Sequence, residues 1–264
     1  MPRVTIVFLH IQGRLKVAEK RIDTSVAAEV LLMYSHGIPD EFNRRRKMIV
    51  DRTVPWRIKG ERCALLVIDM QNDFVKPGGI LYHNDVPMRA APNMKRLSDA
   101  CRALSIPVIY TKAMLDERFA ISPLEASLAP VLFEKGLRGG TWGAEIIDEL
   151  TPEPGDPVVV KHRYDAFYNT NLEVLLNNIR GPGAVDTVLI TGTVTNVCCE
   201  STARGAFMRD YKVVFVGDAC GAFDEDAHRA TLRTIGRFFG RVLDADQVIA
   251  ALKDGEEDVA SVLE

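Results

Sequence analysis

Two hydrophobic rhythms alternate along most of this chain. Short, unbroken apolar runs bounded by Gly, Pro and charged residues predict buried strands at 64–68, 107–110, 158–161, 187–191, 212–216 and 241–243. Between them, apolar residues recur at helical spacing and predict amphipathic helices at 93–104, 170–179, 198–209, 225–236 and 245–252. Strand and helix in strict alternation argue for parallel βαβ units, because a parallel pair needs a long crossover and a helix is its usual form. The right-handed crossover rule then predicts an α/β fold, a three-layer α/β/α sandwich around a six-stranded parallel sheet.

The rhythm changes near residue 60. Before it lie a short apolar run at 4–9, a helical pattern at 25–34 and a polar linker at 51–56. The chain is therefore divided into an N-terminal extension or arm, 1–60, and a main domain, 61–264. The first segment reads equally as an arm packed on the core or on a neighbouring subunit, with Trp56 as its anchor, and as a loose terminal extension.

Composition narrows the class. With 264 residues, 47% of them hydrophobic, and a net charge of −3, the chain fits one α/β domain with an appendage. The basic footprint of a nucleic-acid binder is missing, and Arg44-Arg45-Arg46-Lys47 is too short a run to supply it. No apolar stretch reaches the roughly 18 residues a membrane helix needs, and the run at 4–9 lacks a signal-peptide cleavage pattern. Five cysteines, odd in number and without paired metal spacing, indicate neither a disulfide framework nor a zinc site and point to a reducing cytoplasm.

Candidate chemistry lies at three strand ends. The run 64–68 ends in Asp69, the run 158–160 ends in Lys161, and the run 187–191 leads through Gly192 to Cys198 at the start of a helix. In an open parallel sheet the ligand crevice lies outside the carboxyl ends of the strands, so all three side chains are expected to converge there. A thiol in the first turn of a helix is expected to favour the thiolate. Cys199 is the rival nucleophile, but adjacent helical side chains diverge by about 100° and only one of the two can face the crevice. Cys63, Cys101 and Cys220 read as core residues. Asp73, Asp218 and His162 read as turn or structural residues.

The segments Asp69-Met70-Gln71-Asn72-Asp73-Phe74, Lys161-His162-Arg163-Tyr164, Thr191-Gly192-Thr193-Val194-Thr195-Asn196-Val197-Cys198 and Gly217-Asp218-Ala219-Cys220 come in an order that resembles the cysteine hydrolases of the isochorismatase-like superfamily. The resemblance runs from about Arg62 to about Leu252. It implies strand order 3-2-1-4-5-6, Cys198 as nucleophile with Asp69 and Lys161 completing a triad, and a cis peptide between Thr193 and Val194. It also implies an oxyanion hole from the backbone N–H groups of Val194 and Cys198, and assembly as a homo-oligomer, dimer or tetramer. The histidine-bearing segment of a metal-dependent nicotinamidase has no counterpart after Tyr110, so neither metal nor other cofactor is expected. A vinyl-ether-cleaving isochorismatase would need no cysteine.

Within the superfamily, residues 161–170 and 140–145 most resemble the ureidoacrylate and biuret hydrolase group. The expected activity is cleavage of a C–N bond in a small ureido, carbamoyl or carboxamide compound through a covalent thioester. Trp142, Tyr164 and Phe167 are candidates for an aromatic substrate wall, or for plain core packing, and Gln71 or Asn72 for a polar contact. Arg118 and Arg163 are candidates for holding a substrate carboxylate, or are simply solvated. A catalytically silent member that binds or scaffolds a small molecule is the alternative, and the intact set Asp69, Lys161 and Cys198 speaks against it.

Overall fold

A computed structural model describes residues 6–9, 15–18, 56–115 and 121–254. The chain separates into two compact units, Met1–Pro55 and Trp56–Glu264. In the first unit, β1 (Ile6–Leu9) and β2 (Leu15–Ala18) form an antiparallel pair. The helical pattern at 25–34, the linker at 51–55 and Arg118 lie outside the described residues.

The second unit is built on six parallel strands, β3 (Cys63–Ile68), β4 (Val108–Ala113), β5 (Val158–Lys161), β6 (Thr187–Thr193), β7 (Lys212–Gly221) and β8 (Arg241–Leu243). Their order is β5-β4-β3-β6-β7-β8, which is 3-2-1-4-5-6 counted within the sheet. Every residue of β3 and β6 is buried, as expected for the central strands of a sheet covered on both faces. At the edge, β5 buries Val159 and Lys161 and exposes Val158 and Val160.

The period of two along each strand separates two cores. Cys63, Leu65 and Val67 of β3 join Met94, Leu97 and Cys101 of α3 (Ala91–Ala103) and Val248 and Leu252 of α9 (Ala245–Asp254) on one face. Ala64, Leu66 and Ile68 join Leu172 and Leu176 of α6 (Leu172–Asn178), Ala203 and Ala206 of α7 (Glu200–Phe207) and Ile235 of α8 (Glu225–Phe238) on the other. The result is the three-layer sandwich. Shorter helices, α1 (Asn72–Val75), α2 (Val86–Arg89), α4 (Pro123–Leu128) and α5 (Val131–Glu134), fill the connections after β3 and β4.

Three details depart from the sequence pattern. Strand β4 runs on past Tyr110 to Ala113, and β7 runs through Gly217 and Asp218 to Gly221 where a turn is expected. The β6–β7 register shifts between Ile190 and Gly192, which lets β7 continue beyond its glycine. The helix expected to begin at Cys198 starts earlier, as a π-helical turn over Thr195–Cys199 that feeds α7. Trp56 belongs to the second unit, where the Arg241 guanidinium lies 4.9 Å from its ring centre.

Candidate active site

The sequence reverses direction across the sheet between β3 and β6, and this switch point is where an open α/β sheet leaves a crevice. Asp69 follows β3 directly and adopts φ 49°, a left-handed conformation that Asp tolerates better than most residues. Thr111 on the neighbouring β4 holds it there twice over. The Asp69 N–H donates to Thr111 Oγ1 at 3.2 Å, and the Thr111 hydroxyl donates to Asp69 Oδ1 at 2.6 Å.

Lys161, at the end of β5, reaches the same place. Its Nζ lies 2.6 Å from Asp69 Oδ2, with the two side chains 1% and 0% exposed. The ammonium also donates to the carbonyls of Arg163 at 2.9 Å and Tyr164 at 3.1 Å. Two carbonyls thus take two of the three donors of a protonated lysine, and the Asp69 carboxylate answers its charge. Burial works against the charge, yet Asp69 and Cys198 outweigh it and the Lys161 pKa moves upward. The Asp69–Lys161 contact is an ion pair without hydrogen-bond geometry, so Oδ2 is a buried acceptor with no hydrogen-bond donor.

Cys198 supplies the missing neighbour. It stands within hydrogen-bonding reach of Asp69 and Lys161, at the junction of the π turn and α7, and is 4% exposed. Burial pushes its pKa up to about 12; Lys161 pulls the other way, and Asp69 adds to the rise. Burial and Asp69 therefore oppose the thiolate that the helix terminus and Lys161 were expected to favour, and the direction of the shift is toward the thiol. Cys199 faces elsewhere. It is fully buried, its sulfur 3.9 Å from the Thr191 carbonyl oxygen and within hydrogen-bonding reach of Cys220, so the divergence of adjacent side chains separates the two cysteines. Cys63 and Cys101 are buried core thiols, each pushed up to about 12 by burial.

Backbone geometry at the turn is unusual. The Thr193–Val194 peptide is cis, and the Val194 carbonyl accepts the N–H groups of Val197 at 3.0 Å and Cys199 at 3.3 Å. Gly192 has φ 123°, and a Cβ there would stand 2.1 Å from the Ile68 carbonyl oxygen. Its bareness serves the close approach of β6 to β3.

The residues expected to touch substrate divide. Gln71 is fully buried: its Nε2 donates to the carbonyls of Ala113 and Ala144, each at 2.9 Å, and its Oε1 accepts the Ala113 N–H at 2.8 Å. Its amide is spent on bracing loops, which corrects its assignment to substrate. Asn72 is also buried and donates to the Trp142 carbonyl at 2.8 Å. Phe167 is 5% exposed and packs on Tyr211 and Arg209, so it is core and not wall. Trp142 is largely exposed. Tyr164 alone of the five borders a cavity of about 460 Å³, whose walls include Leu124, Leu128 and Tyr168. Cys198, Asp69 and Lys161 do not line that cavity; Tyr164, whose carbonyl receives Lys161, and Ser201, three residues beyond Cys198, connect it to them.

The presumed structural residues serve as braces. Asp73 accepts the N–H groups of Ile80 at 3.1 Å and Leu137 at 2.6 Å, tying two loops together. Asp218 accepts the Ala245 N–H at 2.8 Å and an Asn93 amide N–H at 2.9 Å. The ring of His162 meets the Met114 carbonyl at 2.6 Å. Thr111 escaped the sequence reading because a threonine inside an apolar strand looks like any β-former. Its position one strand over from Asp69 is the only signal, and it requires the register Val67↔Tyr110.

Comparison with known proteins agrees with this architecture. The Isochorismatase domain model matches residues 63–247. Enterobactin synthase component B of Escherichia coli K12 is 32% identical over 205 residues, 77% of this chain and 68% of that protein. Ureidoacrylate amidohydrolase RutB of Serratia proteamaculans is 35% identical over 204 residues, 70% of this chain and 81% of that protein. The crystal structure of a cysteine hydrolase from Pseudomonas syringae pv. phaseolicola 1448A superposes with a TM-score of 0.71 at 31% identity, covering 77% of this chain and 99% of its own.

Proposed function

The chain belongs to the isochorismatase family of hydrolases, and from that premise we propose that it is a cysteine amidohydrolase cleaving the C–N bond of a small ureido, carbamoyl or carboxamide compound. The observation that carries this reading is the meeting of Cys198 with the buried Asp69–Lys161 pair, 2.6 Å between Nζ and Oδ2. Likeness to a relative named ureidoacrylate amidohydrolase supports the substrate class.

The roles follow from chemistry. An amide carbonyl is a poor electrophile and demands a thiolate, a proton for the departing nitrogen and donors for the oxyanion. Asp69 Oδ2, lacking a hydrogen-bond donor, takes the Cys198 proton as sulfur bonds to the carbonyl carbon. Lys161 stays protonated throughout and stabilises the negative charge as it moves between carboxylate and sulfur. The tetrahedral oxyanion falls to the N–H groups of Val194 and Cys198. The C–N bond breaks as Asp69 returns the proton to nitrogen, leaving a thioester on Cys198. Asp69 then deprotonates a water that attacks this thioester, and the sulfur leaves as a thiol after recovering the proton. No step calls for a metal. The silent-binder reading has no comparable support, since a binder has no use for a buried ion pair aimed at a thiol.

Ammonia release over ureidoacrylate, biuret, N-carbamoyl amino acids, nicotinamide and maleamate tests the reading, with Cys198→Ala as the blank. Activity on at least one ureido or carboxamide compound, lost in the variant, is expected. Undiminished activity in the variant would move the nucleophile elsewhere.

A further inference from the structure

The cavity beside Tyr164 and Ser201 has a chemical character of its own. Leu124 and Leu128 of α4 are 80% and 84% exposed, and with the rings of Tyr164 and Tyr168 they give the cavity apolar walls. Its charges are Glu125, Asp165 and Arg163. Asp165 is partly engaged, accepting the Phe167 N–H at 2.8 Å. The Arg163 guanidinium donates to the His162 carbonyl at 2.5 Å and lies near enough to Glu125 for the two charges to interact, so the single cation of the cavity faces two carboxylates. Glu125 is within hydrogen-bonding reach of the Tyr164 hydroxyl, and a carboxylate keeps further lone pairs for another donor.

We propose that this cavity receives the body of the substrate and selects a neutral, apolar-bodied urea or carboxamide over a carboxylate-bearing one, with Glu125 as the discriminating residue. The proposal rests on the amidohydrolase reading for the identity of the scissile group. A second carboxylate entering beside Glu125 would meet a like charge in a site that is half shielded from water, where repulsion is much stronger than in bulk solvent. An N–H of a ureido group finds the opposite: an acceptor held in place by Tyr164. Specificity built this way combines an attractive contact for one class with a repulsive one for the other.

The test compares 3-ureidopropanoate with 3-methylbutylurea, in which an isopropyl group replaces the carboxylate on the same chain. Calorimetric binding is measured on the full chain carrying Cys198→Ala, so that affinity is read without turnover, and again with Glu125→Gln added. The neutral urea is expected to bind about tenfold or more tightly than the anion, as expected for a like-charge clash. The Gln variant, which keeps an acceptor for Tyr164 and loses the charge, is expected to close most of that gap. Tighter binding of the anion, binding of neither compound, or a gap untouched by Glu125→Gln would overturn the proposal. Ammonia release by the native chain is scored separately: a preserved binding preference without any ammonia would refute the hydrolase reading and leave the cavity's selectivity standing.

Discussion

At the scale of single residues, the proposed reaction starts from a thiol that burial holds beside the Asp69–Lys161 pair. With the Cys198 pKa at about 12, its thiolate fraction should rise tenfold with each pH unit throughout the neutral and mildly alkaline range. Alkylation by a small neutral reagent should therefore accelerate from pH 7 to pH 10 without levelling off. A plateau near pH 7 in a rate-against-pH series would contradict the desolvation account. Thr111 is the second residue to probe, because its hydroxyl hydrogen-bonds Asp69 Oδ1. Thr111→Val should lower kcat by about tenfold to a hundredfold, the kinetic equivalent of one lost buried hydrogen bond, with Thr111→Ser restoring most of it. Equal losses in the two variants would reduce Thr111 to a packing residue. Lys161→Met leaves the Asp69 carboxylate buried and uncompensated, so urea unfolding should report a loss of about 3–5 kcal/mol together with loss of turnover.

At the scale of elements, the strand ends were legible and the connections were not. Apolar runs of three to five residues announced each strand of the six-stranded sheet, and Asp69, Lys161 and Cys198 could be placed because each follows such a run. Residues whose role depends on what lies across the sheet stayed hidden. Gln71 looked like a free amide in a loop, yet the chain returns at Ala113 and Ala144 to consume it. Phe167 read as either pocket wall or core packing, and only the enclosure by α6 and Tyr211 decides for the core. Strand β7 outran its expected end because Gly217 and Asp218 fall in the irregularity of the β6–β7 register, and pairing with β6 resumes beyond them at Cys220 and Gly221. The four-residue helices α1, α2 and α5 are too short to display a helical period at all. Gly192 offers the sharpest element-scale test. Gly192→Ala would set a methyl 2.1 Å from the Ile68 carbonyl oxygen at φ 123°, and should destabilise the fold by more than about 2 kcal/mol in denaturant unfolding. A neutral effect would mean that β3 and β6 part easily at the switch point.

At the scale of the whole molecule, Asp69, Lys161, Cys198 and the cavity all belong to the unit Trp56–Glu264, which carries both cores of the sandwich. Among the described residues, no helix is long and apolar enough to cross a membrane. A chain beginning at Trp56 is expected to fold and to retain the ammonia-releasing activity, measured by circular dichroism and the same screen. Collapse of either would assign the first unit a part in building the site. The central claim, that Cys198 carries the substrate covalently, is tested most directly by quenching the enzyme during turnover of a ureido compound and locating the bound mass by tandem mass spectrometry. The account predicts an acyl or carbamoyl mass on Cys198, separable by fragmentation from Cys199 and absent from Cys198→Ala. Turnover that proceeds with no mass on Cys198, or with the mass on Cys199, would contradict it.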